Sequence, residues 1–149
     1  MTAMIQGEQL RTLLLGTKVD KSTGTLAATT IPLFTIAGGL VAVTSITGRV
    51  TTAVTVANSY KLQHNPTAGT TVDLCAATDI GTTDTARGEI FVVSGVRATG
   101  LTIGANPRAV TAVIMDTGQI ESVSAGTDGV ILWSVTWVPL DTGATLVAA

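Results

Sequence analysis

The residues able to do chemistry are few and scattered. The chain has one histidine, His64, and one cysteine, Cys75, eleven positions apart. A thiol nucleophile needs an imidazole to take its proton, and a third group to orient that imidazole. His64 stands before the turn Asn65-Pro66-Thr67-Ala68-Gly69, with nothing in the sequence to orient its second nitrogen. Cys75 lies in Val72-Asp73-Leu74-Cys75-Ala76-Ala77, where a lone cysteine reads as a small buried hydrophobe. One Cys and one His cannot build a structural zinc site. Asp73, Asp79 and Asp84 surround an acidic loop, but their spacing is not that of a calcium loop, and a solvated turn explains them. The only glutamates are Glu8, Glu89 and Glu121, and the last two read as charges that keep strand edges soluble. No phosphate-cradling glycine loop and no nucleophile elbow occurs. The expectation is a protein that is not an enzyme, with no catalytic residue, no metal and no cofactor.

Two tryptophans remain. Ile131-Leu132-Trp133-Ser134-Val135-Thr136-Trp137-Val138 alternates with period two, so Trp133 and Trp137 share a face with Ile131 and Val135. That company argues for a core. The other reading is an aromatic platform for carbohydrate.

The elements that carry these residues are strands. Of 149 residues, 28 are Thr and 17 are Val, and 46% are hydrophobic. Both types are β-branched and favour strands. Only 12% of residues are charged, against roughly 25% in an average soluble domain. Strands are expected over Leu26–Thr30, Leu33–Ala37, a long stretch Leu40–Tyr60 bent at Gly48, Thr71–Ala77, Glu89–Ser94, Ala109–Met115, Gln119–Ser124, Val130–Val138 and Thr145–Ala148. Turns punctuate them at Gly38-Gly39, Gly104-Ala105-Asn106-Pro107, Asp116-Thr117-Gly118 and Asp141-Thr142-Gly143. No helical crossovers intervene. The expected fold is all-β: an antiparallel sandwich or barrel, with jelly-roll connectivity as one form of it. Residues 1–24 stand apart as an N-terminal arm or short helix with a Leu cluster, ending in a polar link around Lys18, Asp20 and Lys21. Residues 25–149 form a single β domain.

Charge and hydropathy narrow the partners. The net charge is -2, and no basic stripe exists to displace counterions from phosphates, so nucleic acid is not expected. No membrane partner is expected either: the longest apolar run, Ile31 to Ile46, is interrupted and too short to span. A mean hydropathy of +0.51 in a 15.1 kDa chain leaves too few charges to cover a free monomer. The chain is therefore expected to be a homo-oligomer or a subunit of a lattice. The candidate contacts are Met4, Ile5, Leu10, Leu13 and Leu14 on the arm. On the Thr/Val strand faces they are Val50, Val54 and Val56.

Three phrases carry a likeness. They are the segment from Leu33-Phe34-Thr35-Ile36-Ala37-Gly38-Gly39 to Arg49-Val50-Thr51-Thr52, the segment Asn65-Pro66-Thr67-Ala68-Gly69-Thr70-Thr71-Val72-Asp73-Leu74-Cys75, and Trp137-Val138-Pro139-Leu140-Asp141-Thr142-Gly143-Ala144. Over about residues 30–145 the chain resembles a family of small β-rich structural proteins of tailed bacteriophages. The resemblance implies a virion component. It would be a capsid decoration, or cement, protein on the outer head surface, made in the host cytoplasm, partnered by the major capsid protein and often trimeric. A tail or head-fibre subunit that binds the host surface is the alternative.

Overall fold

The computed structural model describes residues 6–93, 101–103 and 112–149. Met4 and Ile5, residues 109–111 of an expected strand, and the expected turn from Gly104 to Pro107 lie outside them. A helix, α1 (Gly7–Leu15), leads into β1 (Thr17–Thr25), β2 (Thr30–Ala37), β3 (Val41–Thr52) and β4 (Ser59–Pro66). Four short strands follow: β5 (Val72–Asp73), β6 (Thr78–Asp79), β7 (Ile90–Val92) and β8 (Thr102–Ile103). The described chain ends with β9 (Val113–Met115), β10 (Gly118–Ser124), β11 (Val130–Pro139) and β12 (Thr145–Ala148).

These strands make two antiparallel sheets packed face to face. The first runs β1-β11-β3-β7-β8, with β9 also beside β3. The second runs β12-β2-β10-β4-β5, with β6 also beside β4. The strands β1 to β4 alternate between the sheets, as do β9 to β12, and β1 lies against β11. The order β1-β11-β3-β7 facing β2-β10-β4-β5 is that of a jelly roll, two Greek keys wrapped on one core.

The inward set follows the alternation. Ile131, Trp133, Val135 and Trp137 of β11 face Tyr60 and Leu62 of β4 and Phe34 and Ile36 of β2 in one buried core. The Trp133 and Tyr60 rings stack at 6.1 Å between centroids and 5° between planes. Gly48 pairs with Trp133 in register. A Cβ on Gly48 would stand 2.9 Å from the indole. The irregularities between β3 and β11 lie elsewhere, so Gly48 is no bend: it clears space for the indole.

Three further expectations need correction. The expected strand Leu26–Thr30 is instead the link between β1 and β2, which begins only at Thr30. The polar link over residues 17–24 is strand β1, paired with β11 from Thr17↔Trp137 to Thr25↔Val130. Its charges suit an edge strand, where they discourage pairing with another chain. The stretch Leu40–Tyr60 is two strands in different sheets. β3 ends at Thr52, and Val54 makes only an isolated bridge to Thr85.

The two ends of the sandwich differ in chemistry. At the end where β3 finishes and β4 begins, the Asn58 side chain is buried. Its Oδ1 accepts from the amides of Ala125 (3.0 Å) and Gly126 (2.9 Å), and its Nδ2 donates to Ser124 Oγ (3.0 Å). Asp128 Oδ2 accepts from the Thr55 amide (2.8 Å) and hydroxyl (2.7 Å) beside it. The opposite end, where β3 starts and β11 stops, carries α1 and most of the exposed large apolar side chains.

Candidate functional site

The chemistry-bearing side chains are engaged separately. Cys75 is fully buried, and its Sγ accepts from the Leu62 amide at 3.3 Å. Burial pushes the thiol pKa up, so the sulfur is a protonated core group. His64 Nε2 sits 3.1 Å from the Asp116 carbonyl oxygen, tying β4 to the turn before β10. Neither side chain is the other's hydrogen-bond partner, and no nucleophile and base pair forms from them.

The acidic loop is a closed turn. Asp79 Oδ1 accepts from the amides of Gly81 (3.0 Å), Thr82 (3.1 Å) and Asn58 (3.2 Å), and Oδ2 accepts from the Thr82 hydroxyl. The Thr82 hydroxyl, then these amides, hold the Asp79 carboxyl well below the usual carboxylate range. Its lone pairs are spent on its own backbone. Asp73 pairs with Lys61 at 2.7 Å, while Asp84 is exposed. Among the described residues, no three His, Cys, Asp or Glu side chains gather to hold a metal ion.

Glu121 is not an edge charge. It lies on β10, between β2 and β4, and is buried. Gln63 Nε2 donates to its Oε2 at 2.7 Å and Asn65 Nδ2 to its Oε1 at 3.1 Å. Glu89 does flank β7, and Glu8 stands in the first turn of α1, 3.9 Å from Arg11. Both tryptophans point into the core, so the aromatic platform for carbohydrate is not on the surface.

The contact residues divide. Val50 and Val54 are core side chains with no free surface. The alternation read through Val54 and Val56 ran past the end of β3, so it assigned these faces wrongly. Val56 is exposed beside the Asp128 loop. Leu10, Leu13 and Leu14 are all exposed, Leu13 by 74% and Leu14 by 72%.

The structure fixes how α1 is carried. Its start is closed by the Gln6 amide donating to Gln9 Oε1 at 3.0 Å. Its last turn is held by the Thr44 hydroxyl, which donates to the Leu15 carbonyl at 2.6 Å. Thr136 Oγ1 lies 2.6 Å from Thr44 Oγ1 and 2.7 Å from Ser45 Oγ, so a chain of hydroxyls on the first sheet supports the helix end. Gly16, at φ 86°, then turns the chain into β1 against β11. A Cβ there would meet the Trp137 carbonyl oxygen at 2.2 Å.

This mounting inverts the usual amphipathic arrangement. Glu8, Arg11, Thr12 and Leu15 line a cleft of about 420 Å³ shared with Lys18 and Thr136 of the sheet. At roughly 100° per residue, Leu10, Leu13 and Leu14 stand on the opposite side of the helix. The face of Thr12 and Leu15 turns toward the sheet across this cleft, with Glu8 and Arg11 at its open rim, and the leucine stripe looks outward.

A second apolar surface lies at the same end of the sandwich. Val138 of β11, Ala42 of β3 and Ile114 of β9 are register partners in one row across the outer face of the first sheet. Ile114 is 66% exposed, Val138 is half-buried beside Gly16, and Ala42 lies buried between them. Leu40 and Leu140, joined by a 2.9 Å bond from the Leu140 amide to the Leu40 carbonyl, project from the adjoining turns. Sequence spacing missed this row because its members are 24 to 96 residues apart and meet only through strand pairing.

No helix among the described residues is long and apolar enough to cross a membrane. Comparison of the chain with protein-family models, curated proteins and solved structures returns no match. The class defined by the described residues is a jelly-roll β-sandwich with a projecting apolar helix.

Proposed function

We propose that this chain is a structural protein of a bacteriophage virion, a capsid decoration (cement) protein that binds the outer head surface and stabilises the shell. The observation that carries the reading is the leucine stripe of α1, tethered at its end by Thr44 and Gly16 and turned away from its own domain. A soluble monomer gains nothing from such a helix, whereas an assembly subunit uses it as a contact. The jelly roll supports the reading by fold-level analogy, since viral capsid domains use that architecture among others. The phrases from Leu33 to Ala144 that resemble phage structural proteins support it independently.

In mechanism, each copy adds buried apolar area across a seam between major capsid protein subunits. Many weak contacts act together around the lattice, and the shell gains resistance to internal pressure. The protein is made in the host cytoplasm and ends on the virion surface, with a trimer as the form expected at a local three-fold position. The fibre alternative relied on exposed tryptophans, and both are buried.

The test adds the purified chain to undecorated heads of the phage that encodes it. Co-sedimentation with the heads and a higher temperature of head rupture are expected. A chain lacking residues 1–15 should lose most of the binding and keep its β-rich circular dichroism. Heads that neither bind the full chain nor gain heat resistance would overturn the reading.

A further inference from the structure

The exposed stripe on α1 and the row on the first sheet, open at Ile114 and flanked by Leu40 and Leu140, belong to one chain, and each has the shape the other lacks. We propose that a second copy of this chain covers them: α1 of one copy lies on the Val138–Ala42–Ile114 row of its neighbour. The geometry fits. The row crosses three strands, about 10 Å at the usual strand spacing, which is about the diameter of one α-helix. The stripe cannot reach the row of its own chain, because it faces away from the sheet that carries it.

Area favours the same occupant. Leu10, Leu13, Leu14, Leu40, Ile114 and Leu140, with Leu15 on the cleft side of the helix set apart, are the exposed large apolar side chains of this end. Together they leave on the order of 600 Å² open on each copy, divided between helix and row, so a copy gives this area when neighbours cover both, against the roughly 800 Å² that one partner gives to a standard interface. That is a large exposed patch for a monomer and a sufficient one for self-association. Charge does not oppose it. The helix carries one acid and one base, Glu8 and Arg11, already within 3.9 Å of each other, and the row is neutral. The helix itself needs the contact. Its nine residues bury no side chain, and isolated helices under roughly 12 residues are marginal in water.

This inference assigns the leucine stripe, which the capsid reading uses as an assembly contact, to a second copy, and it is tested on the isolated full chain, without heads, so that its failure is distinct from a failure of that reading. Light scattering on a sizing column at about 100 µM should give a mass that is a multiple of 15.1 kDa. Leu13→Gln with Leu14→Gln, and separately Ile114→Lys, change exposed side chains. Each should return the mass to one copy with unchanged circular dichroism. Mixing Leu14→Cys chains with Ile114→Cys chains under mild oxidation should form the mixed disulfide in preference to either like pair. A wild-type chain that stays monomeric would overturn the proposal. So would an oligomer that survives both surface variants.

Discussion

The Trp133 indole, on one sheet, donates its Nε1 proton to the Tyr60 hydroxyl on the other at 2.8 Å. The bond crosses the sandwich at its centre, and the two rings lie parallel beside it. Burial raises the Tyr60 phenol pKa, so the hydroxyl stays neutral as partner to the indole.

Trp133→Phe removes the donor and leaves a gap. A loss of about 2–3 kcal/mol of unfolding free energy is expected, from the lost bond plus the cavity. Gly48→Ala should destabilise comparably, because the new methyl would overlap the indole. Urea unfolding followed by tryptophan fluorescence measures both, and an effect below about 0.5 kcal/mol for either contradicts the packing described.

Asn58 closes the polar end of the sandwich. Asn58→Leu keeps the volume, strands the Gly126 amide without an acceptor and leaves the Ala125 amide only its 3.2 Å bond to the Ser59 carbonyl. A cost of about 1–3 kcal/mol is expected, the range for one buried orphan group. Hydrogen exchange provides the local readout: the amide of Gly126, just past the end of β10, should lose protection before those of the strand.

Asp79 predicts an acid limb. Its folded pKa is depressed below the ordinary value of 3.8, and Asp128 is shifted the same way by its bonds to Thr55. A depressed folded pKa gives stability that is present above the unfolded value and is lost as pH falls toward the folded one. Melting temperature should therefore hold steady above about pH 4 and fall below it. Asp79→Asn should melt lower at pH 7 and show a shallower acid decline. An Asn variant with the full wild-type decline would remove Asp79 as a cause.

Gly16→Val should act on the arm and spare the core. The new side chain meets the Trp137 carbonyl and a positive φ at once. The expected outcome is rapid proteolysis within residues 7–15, with the remaining β fragment melting within a few degrees of the parent. Wild-type resistance to the protease would show that Gly16 does not set the arm.

The sequence made the fold legible where one strand decides it alone. The alternation of Ile131, Trp133, Val135 and Trp137 and the turn at Gly38-Gly39 were readable, and both tryptophans went to the core. Lys18, Asp20 and Lys21 hid β1, because an edge strand tolerates charges that local composition reads as a link. Val54 was misplaced because a periodic pattern carries no mark of where pairing stops. Glu121 looked like an edge charge because its partners, Gln63 and Asn65, come from a strand 56 to 58 residues away. The arm leucines were readable as a cluster. That they face outward depends on the seat of Gly16 and on the Thr44 hydroxyl, and no spacing rule encodes either.

The seating of α1 at the head of β1 also decides how the molecule bears load. Tension drawn along β1 from the arm reaches the six register pairs from Thr17↔Trp137 to Ser22↔Leu132 at the same time. Those pairs resist in shear, as a group, and do not open one after another like a zip. The strand that anchors the arm is thus the part of the sandwich best placed to carry a pull, and it passes that pull directly to β11 and the tryptophan core behind it.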